Sequence, residues 1–192
     1  MLFRSPKGLL KFGGQPLILR IARLVEPLVS AVRAIGPPEY YADLGLHVTE
    51  DANFGIPNEK GKTTGPLSGI ASALISTRTD WNLILACDLP YLTADWVDWL
   101  LARAIASSCQ IVMPRTAGGI EPLAAVYRRE CAEPIIGALR SGVHKVSDAF
   151  GDFRIDFVTQ RDWAHADPAG RVLYNMNAPE DYQEARRWLE EQ

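Results

Sequence analysis

The sequence predicts a three-layer α/β domain, a mostly parallel sheet with helices on both faces. Three observations carry that expectation. Short apolar runs alternate along the chain with segments whose apolar residues recur at helical spacing. The run Trp81 to Cys87, apolar except for Asn82, is too short for a helix of its own and fits a strand covered on both faces. Finally, 192 residues suit a single domain with a sizeable core, and 47% hydrophobic with 22% charged residues is the balance of a folded globular protein.

Taken in order, Pro16 fits the first position of a helix, followed by Leu17, Ile18, Ile21, Leu24, Val25 and Leu28 on one face. Pro27 should end or kink it. Ala31 to Ile35 reads as a short strand stopped by Gly36-Pro37-Pro38, Glu39 to Leu44 as a helical turn, and Leu46 to Thr49 as a strand ending near Glu50 and Asp51. A polar loop spans Ala52 to Gly65. Pro66 starts a helix with Leu67, Ile70, Ala71, Leu74 and Ile75 on its buried face. After the Trp81 strand, Thr93 is the expected N-cap of a helix reaching Ala106. Gln110 to Pro114 and Leu123 to Tyr127 are strands separated by a Gly118-Gly119 turn. Cys131 to Leu139 and Val143 to Phe150 read as helices, and Ile155 to Val158 as a strand. Asn177 is placed to cap the last helix, with Pro179, Glu180 and Asp181 in its first turn.

Composition excludes several classes. A net charge of −3 gives no electrostatic footprint for nucleic acid or an anionic membrane. No apolar run approaches the ~20 residues that cross a bilayer. Met1 to Lys11 lack the long apolar core of a signal peptide. Cys87, Cys109 and Cys131 are odd in number and widely spaced, which fits neither a disulfide framework nor a zinc site. A cytoplasmic location is the expectation.

In parallel sheets ligands bind beyond the carboxyl ends of the strands, so polar residues there carry the most weight. Asp88 ends the run Leu83-Ile84-Leu85-Ala86-Cys87 and precedes Leu89-Pro90. A carboxylate in that place either holds a magnesium ion that bridges to phosphates or caps the following turn. Asp51 follows a shorter strand, where a turn role is the plain reading. Gly61-Lys62-Thr63 is no P-loop, because five residues separate Gly55 from Gly61 where the motif has four before its Gly-Lys pair. Lys7 stands in an N-terminal segment, where a lysine is either simply solvated or placed to stabilise charge in phosphoryl transfer. His47, His144 and His165 share no metal-ligand spacing, and no serine sits in a Gly-x-Ser-x-Gly elbow. Cys87 beside Asp88 reads as a core thiol, since the carboxylate disfavours a thiolate. Trp96 and Trp99 read as core packing.

These pieces stand in a familiar order. Lys7-Gly8-Leu9-Leu10, Gly13-Gly14-Gln15-Pro16-Leu17, Asp51 ahead of Gly65-Pro66-Leu67-Ser68-Gly69-Ile70, and Ala86-Cys87-Asp88-Leu89-Pro90 come first. Glu121-Pro122-Leu123-Ala124-Ala125-Val126-Tyr127 and Asn175-Met176-Asn177-Ala178-Pro179-Glu180-Asp181 follow. The ordered set, covering nearly the whole chain, resembles the molybdenum cofactor guanylyltransferases, which are MobA-like NTP transferases. The resemblance implies a Rossmann-like nucleotidyltransferase fold over residues 1–192. It implies transfer of GMP from GTP to the terminal phosphate of molybdopterin, with release of pyrophosphate. By the same resemblance Asp88 binds Mg²⁺ and the nucleotide phosphates, Lys7 contacts GTP phosphates, Asp51 contacts the nucleoside, and Asn175 and Asn177 shape the pterin side. Asp88 and Lys7 are the expected catalytic pair. Molybdoenzymes or their chaperones are implied partners. The family begins with a strand and a Leu-Ala-Gly-Gly-x-Ser-x-Arg-Met-Gly loop that cradles the nucleotide. Here Leu2-Phe3-Arg4 falls where Arg-Met-Gly would be, so the first strand and its glycines are expected to be missing and GTP binding weakened. Two alternatives stay open: a cytidylyltransferase or other NTP transferase of the same fold, and a non-catalytic copy.

Overall fold

The computed structural model describes residues 6–54, 65–143 and 145–190. Met1 to Ser5, the Gly55 and Gly61-Lys62-Thr63 stretch and His144 lie outside the described residues. In chain order the elements are β1 (Lys11–Phe12), β2 (Gln15–Pro16), α1 (Leu17–Val25), β3 (Ala34–Ile35), α2 (Pro38–Tyr41), β4 (Val48–Thr49), α3 (Gly65–Ile75), β5 (Trp81–Leu85), α4 (Ala94–Ala106), β6 (Ile111–Thr116), β7 (Gly119–Ile120), β8 (Ala124–Arg128), α5 (Ala132–Arg140), β9 (Ile155–Thr159) and α6 (Pro179–Glu190). No described helix is long and apolar enough to cross a membrane.

The helices start and stop for local reasons. α1 buries Leu17, Ile21 and Val25 at a spacing of four, and it gives way to a 3-10 turn, Glu26–Leu28, at Pro27. Pro27 has no N–H to continue the ladder. Thr93 caps α4 as expected: its Oγ1 accepts the Trp96 N–H at 3.4 Å. α3 buries Leu67, Ile70, Ala71 and Leu74. Ile75 departs from the expected face and is 44% exposed, because it falls on the last turn where α3 leaves the core. Within the segment read as a helix from Val143 to Phe150, a 3-10 turn forms over Val146–Phe150.

The α/β class stands, with a mixed main sheet in the order β5-β8-β6-β7 and β9 beside β6. β9 is parallel to β6, whereas β8 lies antiparallel between β5 and β6. The chain reaches β8 from β6 through the β6–β7 hairpin, without the crossover helix that parallel neighbours need. β3 and β4 form a separate parallel pair.

Alternation along β8 makes the three layers. Ala124 and Val126 face one core, shared with residues of α1, α4 and α6; Ala125 and Tyr127 face the other, under α3 and α5. All four are buried. In the first core Trp96 and Trp163 meet edge to face at 6.1 Å, the geometry aromatic quadrupoles favour. In the second, the buried Tyr127 hydroxyl donates to the Pro122 carbonyl at 2.7 Å, which fixes the turn leading into β8. β5 is less enclosed than a strand covered on both faces. Only Ile84 of its five residues is buried, because β8 flanks one edge and no described strand pairs with the other.

Candidate functional site

Three residues distant in sequence converge where β5 ends. Asp88 follows β5, and its carbonyl accepts the Met176 N–H at 3.0 Å, which ties the approach to α6 onto the strand end. Lys7 opens a 3-10 turn, Lys7–Leu9, that lies against the same end. Gly8 permits that approach: a Cβ there would stand 3.3 Å from Ile18 Cβ and 3.4 Å from Cys87 Sγ. Lys7 Nζ donates to Asp88 Oδ2 at 2.7 Å and to Asn177 Oδ1 at 3.0 Å. Lys7 is 31% and Asp88 17% exposed, so the pair stands open to a ligand on a supported floor.

Asn177 corrects a sequence expectation. The cap of α6 is Asp181, whose Oδ2 accepts the backbone N–H groups of Ala178 at 2.7 Å and Asn177 at 2.8 Å. A first-turn carboxylate reaching back satisfies donors that helix geometry leaves unpaired. Those N–H groups, Ala178 first, hold the Asp181 carboxyl below its ordinary range. The Asn177 side chain is thereby spared for Lys7.

Asp51 stands apart from that trio but borders the same cavity, about 650 Å³, that reaches Asp88. Its Oδ1 accepts from Ser72 Oγ at 2.8 Å, with Ser68 Oγ at 3.5 Å, and Ser72 Oγ in turn accepts the Ala52 N–H at 2.9 Å. Sequence reading missed both serines. The available signal was two polar residues one helical turn apart, Ser68 and Ser72, within the apolar face of α3. Buried hydroxyls there call for a partner, and Asp51 is it.

A smaller cavity of about 190 Å³ opens beside Asp88, lined by Glu121, Pro122, Asn175 and Pro66 among others. Asn175 and Asn177 thus stand in different places, one at this cavity and one at Lys7. Glu121, quoted above only as part of a motif, accepts from Thr116 Oγ1 at 3.1 Å. Burial raises its carboxyl above the usual value and nearby Asp88 adds to the rise, against the lowering by Thr116. A raised folded-state pKa favours the fold below the unfolded pKa, and that advantage is lost as pH rises through the folded value. Glu121→Gln keeps the acceptor and removes the charge. It is expected to melt higher than wild type at pH 7, with the gap closing below about pH 4, where a free glutamate is protonated. Thermal melts of both proteins across the range from about pH 3.5 to 8 check this; a pH-independent gap would contradict it.

Cys87 is no nucleophile. Burial first, then Asp88, pushes its thiol up to about 11. Among the described residues no group of three histidine, cysteine or acidic side chains forms a metal cluster.

Comparison with known proteins fits this geometry. The family model of the MobA-like NTP transferase domain matches residues 2–154. A probable molybdenum cofactor guanylyltransferase of Trichormus variabilis is 30% identical over 178 residues, covering 91% of this chain and 80% of that protein. One from Pelotomaculum thermopropionicum is 28% identical over 181 residues, covering 94% and 83%. The crystal structure of molybdopterin-guanine dinucleotide biosynthesis protein A from Archaeoglobus fulgidus superposes with a TM-score of 0.81 at 18% identity, covering 98% of this chain and 93% of that one. The 2-C-methyl-D-erythritol 4-phosphate cytidylyltransferase of Thermus thermophilus follows the same fold, with a TM-score of 0.70 at 14% identity over 96% and 94% of the two chains. The chain therefore belongs to the MobA-like NTP transferase domain family, and its trio at the end of β5 lies in a nucleotidyltransferase.

Proposed function

We propose that this protein transfers GMP from GTP to the terminal phosphate of molybdopterin, releasing pyrophosphate. The observation that carries this reading is the convergence of Lys7, Asp88 and Asn177 at the strand end of a chain whose relatives, matched over more than nine-tenths of its length, are named for that activity. In the reaction, an oxygen of the molybdopterin phosphate attacks the α-phosphorus of GTP. The new P–O bond forms as the bond between the α-phosphorus and its bridging oxygen breaks, and that oxygen leaves on pyrophosphate. A phosphate monoester has a second pKa near about 6, so the nucleophile is already anionic at neutral pH and needs no general base. The barrier is charge repulsion between two anions and their alignment. Lys7 donates to phosphate oxygens and stabilises charge that builds on them. Holding both substrates in line supplies much of the remainder.

Two hard oxygen donors, Asp88 Oδ2 and Asn177 Oδ1, share one ammonium ion, an arrangement that suits a divalent cation of magnesium's preference. Asp88 and Asn177 would hold it. When bound, Mg²⁺ neutralises and orients the triphosphate. Asp51, across the larger cavity, contacts the nucleoside, and Asn175 with Glu121 faces the molybdopterin side. Competition binding of GTP, CTP and ATP, each with magnesium, tests the base choice. GTP is expected to win; a clear CTP preference would make the protein a cytidylyltransferase.

A further inference from the structure

The smaller cavity, about 190 Å³, suits a single fused ring and not a nucleoside triphosphate, since sites for drug-sized ligands run from about 300 Å³ upward. Asp88, Glu121 and Asn175 form its polar wall, and Pro66, Pro122 and Val146 are among its apolar residues. Glu121 and Asn175 are both held by their backbones. Glu121 N donates to Pro114 O at 2.9 Å, and its own carbonyl accepts the Ala124 N–H at 3.1 Å. Asn175 stands between two anchored neighbours: Tyr174 N donates to Arg171 O at 2.8 Å and Met176 N to Asp88 O at 3.0 Å. The Glu121 carboxyl is also fixed at one oxygen, Oε1, by Thr116 Oγ1 at 3.1 Å. Among the described residues Thr116 is the donor that this carboxyl meets, and no described residue bonds the Asn175 amide. Both side chains therefore keep polar capacity for a ligand. A second carboxylate beside Asp88 is a poor neighbour for anionic phosphates, and burial together with Asp88 raises it. Its charge works against the fold at neutral pH, as that of a group placed for a ligand often does. The ligand that suits it brings hydrogen-bond donors.

We propose that this cavity seats the heterocycle of the phosphate acceptor, and that the Glu121 carboxylate selects that ring by accepting its N–H groups. The edge recognised is an aminopyrimidinone: an amino group, a ring N–H and a carbonyl in a row. Glu121 accepts from the first two, and the Asn175 amide donates to the carbonyl. The bonds to the carboxylate are charge-assisted and the stronger part. Pterins and guanine share this edge, and two placements favour the pterin. The cavity adjoins Asp88, where the phosphates meet in the reaction proposed above, and it has no room for base, ribose and triphosphate together. The larger cavity, bordered by Asp51, is left for the nucleoside. This assignment rests on the acceptor reading given above and adds how the ring is told apart from other phosphate esters.

Calorimetry with two free rings tests this without transfer. The probes are pterin and lumazine, which carries a second carbonyl where pterin has its amino group. The 192-residue wild type is expected to bind pterin about tenfold more tightly than lumazine, whose extra carbonyl meets the carboxylate. Glu121→Gln puts an amide donor there, so it should weaken pterin about tenfold, improve lumazine and close the gap. GTP affinity should not change. In the transfer reaction the KM for molybdopterin should rise about tenfold with kcat little altered, the mark of a lost binding contact. Asn175→Ala, which leaves Glu121 in place, should weaken both rings alike. Thermal melts show that each variant is folded before its affinities are compared. An unchanged preference for pterin in Glu121→Gln would overturn the proposal. So would a wild type that binds neither ring, or a variant that loses GTP and keeps pterin, which would assign the cavity to the nucleobase. A protein that selects pterin through Glu121 yet transfers no GMP to molybdopterin would sink the reaction proposed above and leave this assignment standing.

Discussion

Asp88→Asn is expected to lower GMP transfer by about 10²- to 10³-fold, the cost typical of removing one group that stabilises charge in a transition state. The fold should survive. The amide introduced by the substitution keeps an oxygen to accept from Lys7, and Asn177 Oδ1 remains at 3.0 Å. Lys7, 31% exposed, is not stranded as a buried charge. The part-buried ion pair becomes a hydrogen bond from the same ammonium, so the melting temperature should move by no more than a few degrees. A second signature separates electrostatics from packing. Wild-type turnover should rise with magnesium and saturate, whereas the variant should need more metal for its residual rate. Turnover within a few-fold of wild type, at the same magnesium midpoint, would remove Asp88 from the site and leave it as a turn residue.

The fold was legible wherever its cause is local. Thr93 caps α4 because its side chain lies three residues from the N–H it accepts, and the α1 face was readable because Leu17, Ile21 and Val25 follow one helical turn after another. The antiparallel setting of β8 was legible in principle. Only a glycine turn, not a helix, separates β6 from Leu123 to Tyr127, and a parallel neighbour needs a crossover. Counting alternation along the whole chain obscured that one connection. The β5 edge that no described strand pairs with was not readable from the run itself, since an apolar run looks alike whether or not a strand lies on each side of it; only the resemblance, through its missing first strand, pointed there.

The site was legible only through the ordered motifs. Lys7 and Asp88 are 81 positions apart, and Lys7 and Asn177 are 170 apart. No spacing rule spans such separations; topology alone brings them together. Asn177 illustrates the limit. An Asn two residues before a helix proline and an Asp in the first turn are both good caps, and the choice rests on which donor each can reach. Asp181 reaches two, so Asn177 turns its side chain to Lys7. Ser68 and Ser72 carried a readable sign, polar side chains on an apolar face, but their partner lies in a different segment.

Lys7→Met should lower kcat/KM for GTP by about 10²-fold, the scale of losing one charge-stabilising donor, and Lys7→Arg should recover only part of that loss. Methionine keeps the length of the stem and removes the charge, so packing beside Gly8 is preserved and the change reports electrostatics. Two consequences separate the roles open to this lysine. Were it only a partner that holds Asp88 in place, methionine would leave the phosphates' contacts intact, and added magnesium would restore the rate by taking up the same two oxygens. Were it a phosphate contact, as proposed above, magnesium would not replace it, because the ammonium's own hydrogen bonds to the phosphate would still be missing. Arginine carries the charge but spreads it over a planar fork that cannot sit as a point between Asp88 and Asn177, which is why rescue should be partial. The salt dependence of GTP binding should also flatten in Lys7→Met, since one screened attraction to the triphosphate is gone. Full restoration by magnesium, or an unchanged salt slope with wild-type kcat/KM, would show that Lys7 braces the strand end without touching the nucleotide.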